Sequence, residues 1–93
     1  MILYQKATAS EEVIKAVSSF FHFHLGKTKL EQVPDEFYFI EGDYRLEKGD
    51  TLEFDKPLFC SGTFEHAGTL VSKNGARLTA KAYSSEGGKR ITA

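Results

Sequence analysis

The residues of this chain that could do chemistry are few: the histidines His22, His24 and His66, and a single cysteine, Cys60. A histidine within reach of a thiol can act as a general base, and several such groups together can hold a metal. His24 stands out because it falls at the centre of an apolar helical stripe. Cys60, Phe64 and His66 share one face of an expected strand, so His24, Cys60, Phe64 and His66 are the candidate ligand-binding set. The competing reading makes His24 a core histidine bonded to a backbone carbonyl, and Cys60 an inert thiol with no electropositive neighbour.

No known constellation completes these residues. Cys-x-x-Cys and His-x-x-x-His spacings are absent, and His22 and His24 would point about 160° apart on a helix. The sequence holds no phosphate-binding glycine loop, no nucleophile elbow and no calcium loop. No cofactor and no metal are expected, and an enzyme is the less favoured reading.

The element that must position His24 is the stretch Thr8 to Leu25, the one long helical pattern present. Val13, Val17, Phe20, Phe21 and His24 share one sector, with Glu11, Lys15, Ser18, Ser19 and His22 opposite. Thr8 and Glu11 form a capping-box pattern, and Gly26 supplies the stop. A short strand from Ile2 to Gln5 precedes the helix. After a polar connection, strands are expected at Phe37–Ile40, Tyr44–Glu47, Thr51–Phe54, Leu58–His66, Thr69–Lys73, Ala76–Tyr83 and around Ile91.

The turn residues between these strands read as hairpins. Gly42-Asp43 and Asn74-Gly75 are two-residue hairpin signals, and Gly62 reads as a bulge. Hairpin pairing would set Leu46 against Leu52, Tyr44 against Phe54, and Phe64, Val71 and Leu78 in one row. No fixed-period repeat is evident. The expected architecture is α+β: one N-terminal helix packed across a curved antiparallel sheet of about five to seven strands, in β-α-β-β-β-β-β-β order. Its helix face would pack on Leu46, Leu52, Phe54, Phe64, Val71 and Leu78.

With 93 residues, 41% of them hydrophobic and 27% charged, residues 1–93 are expected to form one globular domain. No apolar run is long enough to span a membrane. The N-terminus lacks a signal-peptide pattern, and a lone cysteine argues against a disulfide framework, so a cytoplasmic location is expected. Charge is segregated. Residues 31–55 hold nine acids against Arg45 and Lys48, whereas residues 73–93 hold Lys73, Arg77, Lys81, Lys89 and Arg90 against Glu86.

Such segregation reads either as solvated strand faces or as a surface for a charged partner. Nucleic acid is not expected as a partner, because Tyr83 alone does not supply the interleaved aromatics of a single-strand binder. Phe23 lies off the core sector of the helix and aromatics are abundant, so Phe23 and Tyr83 are the expected interface residues of a homodimer. The function these features support is a small non-catalytic protein-interaction module that self-associates. The alternative is a small-ligand binder or enzyme with a pocket between helix and sheet near His24 and Cys60.

Overall fold

A computed structural model describes residues 2–21 and 29–93. The elements run β1 (Ile2–Gln5), α1 (Glu11–Ser18), α2 (Lys29–Gln32), β2 (Glu36–Ile40), β3 (Tyr44–Leu46), β4 (Thr51–Phe54), β5 (Leu58–His66), β6 (Thr69–Ser72), β7 (Leu78–Ser85) and β8 (Lys89–Thr92). Strands lie where β-branched and aromatic residues concentrate. Their pairing is another matter.

The hairpins are replaced by parallel ladders. Tyr38 pairs with Leu58 and Leu58 with Leu78. Tyr44, Phe64 and Tyr83 align in the same way, as do Leu52, Leu70 and Arg90. Each turn of chain therefore lies on the turn before it, in register, after 18 to 20 residues. The chain coils as a three-rung parallel solenoid, with β2–β3–β4, β5–β6 and β7–β8 as successive rungs. Two sheets result, one containing β1, β2, β5, β3 and β7, the other ordered β4-β6-β8. The single curved antiparallel sheet is thus corrected to two mostly parallel ones, with β1 on β2 as the antiparallel pair.

The local turn signals are present without the hairpins they suggested. Asn74 and Gly75 both take positive φ, and the Ala76 N–H donates to the Lys73 carbonyl at 3.0 Å. This is the geometry Asn-Gly favours. Yet β6 and β7, on either side, belong to different sheets. The turn carries the chain around a corner of the coil. Gly62 does mark an irregularity: the β5–β7 register shifts between Cys60 and Thr63. A Cβ on Gly62 would come within 2.6 Å of the Gly42 carbonyl carbon, on the rung beside it.

Side chains alternate in and out along each strand, and this produces two cores. Inside the coil lie Ile40, Leu46, Phe54, Leu58, Cys60, Phe64, Leu70 and Ala76. Outside it, Phe37, Phe39 and Phe59 are covered by Val17, Val33, Val13, Phe20 and Phe21. Helix α1 therefore packs on the outer face of the larger sheet, and the expected contact with Leu46, Phe54 and Phe64 is corrected. Phe59 is the hub, with Phe20, Phe21 and Phe37 at centroid distances of 5.7, 5.8 and 5.9 Å.

The helix is shorter than its apolar stripe. Its N-cap is Ser10, whose hydroxyl accepts from the Val13 N–H at 3.3 Å. Thr8, the expected cap, donates to the Gln5 carbonyl instead, in a turn that closes β1 before the helix begins. Glu11 and Glu12 occupy the first turn, where the macrodipole favours carboxylates. The helix ends at Ser18, after which Phe20 and Phe21 donate to Val17 and Ser18 in a tightened turn. The expected continuation of the helix is thus corrected at Ser19, Phe20 and Phe21, and its remainder to Leu25, with the stop at Gly26, lies outside the described residues. Within the expected polar connection the chain forms α2, whose flank places Val33 in the outer core.

Candidate functional site

Of the candidate histidine and cysteine residues, the two that are described, Cys60 and His66, do not converge. His24 lies outside the described residues, as does Phe23. Cys60 and His66 face the same way on β5, but six residues of extended strand separate them by about 20 Å. Cys60 is fully buried in the inner core and its thiol donates to the Gly42 carbonyl at 3.2 Å. Burial pushes the thiol above its ordinary range. A protonated thiol surrounded by Ile40 and Leu58 is a packing group. Phe64 is likewise fully buried.

His66 is buried with both ring nitrogens engaged. Its Nε2 lies 2.9 Å from the Lys89 carbonyl oxygen, and its Nδ1 meets the Tyr83 hydroxyl. A carbonyl only accepts, so Nε2 carries the proton and Nδ1 accepts from Tyr83 in the neutral ring. The ring joins the second rung to two points of the third and leaves no nitrogen free for a substrate. Among the described residues, no group of three or more His, Cys, Asp or Glu side chains is placed to hold a metal ion. No helix among them is long and apolar enough to cross a membrane.

What the described residues assemble instead is a third rung open along one side. The inner rows taper along the coil: Ile40, Cys60, Ala80; Leu46, His66, Ser85; Phe54, Ser72, Thr92. Large groups at the first rung bury themselves, so Leu46 and Phe54 are both 2% exposed. At the third rung Tyr83 is 50% and Ile91 49% exposed. Tyr83 stacks on Phe64, which stacks on Tyr44, with centroids 6.2 and 5.5 Å apart. The other face of this aromatic ladder ends at Tyr83. β7 and β8 are each hydrogen-bonded along one side, to β5 and β6, and no described strand lies along the other.

The charge segregation acquires an axis. The first rung and its turns carry Glu36, Glu41, Asp43, Glu47, Asp50, Glu53 and Asp55 against Arg45, Lys48 and Lys56, whereas the third carries Arg77, Lys81, Lys89 and Arg90 against Glu86. Acidic and basic ends face opposite directions along the coil. Arg45 bridges the rungs on the outside, 2.7 Å from Glu47, 3.1 Å from Glu65 and 2.7 Å from Glu86. Its guanidinium is held charged first by Glu65 and then by Glu86.

Of the expected interface pair, Tyr83 stands at the open end. Arg90 was not singled out by sequence reasoning, although it aligns with buried Leu70 and so occupies the inner row of the last rung. Gly88 was missed as well. The signal that could have found them is the spacing of Gly42 and Gly62, of Phe39 and Phe59, and of Gly68 and Gly88, each pair twenty residues apart. Comparisons with protein-family models, with curated proteins and with solved structures return no match.

Proposed function

We propose that this chain is a non-catalytic protein-interaction module whose working surface is the open third rung, where it self-associates as a homodimer. The observation that carries this reading is Tyr83, half exposed on top of buried Phe64 at the end of a stacked aromatic ladder. Beside it runs a strand edge with its N–H and C=O groups unpaired by any described strand. Such edges are templates for another strand. The opposite end is less receptive, because β1 lies along β2 there. A two-fold pairing of third rungs joins like surfaces and closes at two copies.

Sedimentation equilibrium at micromolar concentration tests it. The wild type is expected to dimerise, and Tyr83→Arg, with unchanged far-UV circular dichroism, to be monomeric. A wild type that stays at 10.4 kDa at every concentration and salt would overturn the dimer.

A further inference from the structure

We infer that the third rung is an acceptor edge for an acidic, extended segment of a different protein chain, and that the self-pair is its weaker alternative. The inference rests on the reading of this rung as a docking edge and adds the chemistry of the partner. Two properties coincide there. Along β7 and β8 the free sides of the strands present alternating N–H and C=O groups, which another peptide backbone satisfies and a phosphate chain, having no N–H donors, does not. Around them stand Arg77, Lys81, Lys89 and Arg90, with Glu86 as the acid of the rung.

Arg90 is the specific element. It aligns with Leu70, which is fully buried, so it stands in the row of side chains that would stack under an added strand. A guanidinium in that row is costly beneath an apolar residue. Beneath a carboxylate it makes a charge-assisted, two-pronged hydrogen bond.

A second copy fits this edge less well than an acidic strand does, in either orientation. Third rung on third rung brings Arg90, Lys89 and Lys81 against their own equivalents. Third rung on first rung would match basic with acidic, but β1 already occupies the outer side of β2. That is the place where Leu78–Ala80 of the incoming copy would have to lie, since those residues continue the ladder Tyr38–Leu58–Leu78. An acidic strand from another chain meets neither obstacle.

The test uses a short fluorescent peptide of alternating Val and Glu, the same peptide with Lys for Glu, and a single-stranded DNA oligonucleotide of equal negative charge. The Glu peptide is expected to bind the full chain, with affinity falling roughly tenfold or more from low to high salt. The Lys peptide is expected not to bind. Self-association should show the opposite slope and strengthen with salt. Hydrogen exchange should slow at amides of β7 and β8 when the Glu peptide is present.

Arg90→Glu should reverse the preference between the two peptides. Arg90→Gln should lose most of the affinity without reversing it. Failure of the Glu peptide to bind, binding without protection of β7 and β8, or DNA bound in its place would each overturn the inference. A chain that binds the Glu peptide yet never dimerises would remove the self-pair alone. A dimer that ignores the peptide would remove this inference alone.

Discussion

Gly88 lies against His66 so closely that a Cβ there would sit 2.7 Å from the ring Nε2 and 2.6 Å from the backbone carbonyl oxygen. The buried ring, bonded to the third rung at both nitrogens, depends on a bare backbone at this position. Gly88→Ala should therefore force the rungs apart and cost about 1–3 kcal/mol, as overpacking does. Denaturant midpoints of Gly88→Ala, His66→Ala and the double variant check this. The double variant should lose less than the sum of the singles, because removing the ring relieves part of the overlap. Strict additivity would mean that Gly88 and His66 do not press on each other.

Phe59 is the point at which the helix meets the coil. Phe59→Ala would strip the shared partner of Phe20, Phe21 and Phe37 and should cost about 3–5 kcal/mol. Ser19→Ala, at the exposed position that follows the helix, should change stability by no more than about 0.5 kcal/mol. Chemical denaturation distinguishes the two. An unchanged midpoint for Phe59→Ala would contradict the packing of α1 on the outer face.

Cys60 should be unreactive in the native protein. Maleimide is expected to label it only under unfolding conditions, at the rate of global opening. Its raised pKa also makes a pH prediction. The unfolded thiol ionises near its ordinary value of 9.0, whereas the folded thiol holds its proton to higher pH. Between those two values the folded state binds more protons, so stability falls as pH rises. The contribution is complete below pH 9.0 and is lost progressively above it. Tyr38, raised chiefly by its hydrogen bond to Asp55, acts in the same direction from 10.0 upward. Cys60→Ala should flatten the alkaline loss in part, as measured by thermal unfolding from pH 8 to 11.

The sequence by itself determined where the strands lie. Tyr44, Leu46, Leu52, Phe54 and Phe64 alternate with polar neighbours, and alternation is a local property of an extended chain. It also determined the joint burial of Val13, Val17, Phe20 and Phe21, the turn at Asn74-Gly75 and the irregularity at Gly62. These follow from backbone sterics and from the burial of one side of each element.

Which strand lies beside which was decided only in three dimensions. Leu46 can stack on His66 or face Leu52 with equal regard for its own polarity, and a turn such as Asn74-Gly75 serves a corner as readily as a hairpin. The parallel coil prevails because it stacks Tyr44, Phe64 and Tyr83 in one ladder and leaves Phe37, Phe39 and Phe59 outside for the helix. The twenty-residue period was hard to see because the rows taper from Leu46 to His66 to Ser85, keeping position but not residue type. For the same reason the candidate site was only half legible. Tyr83 shows as an aromatic in a basic stretch, but Arg90 gains its meaning from Leu70 beneath it, twenty residues back in the chain and one strand away in space.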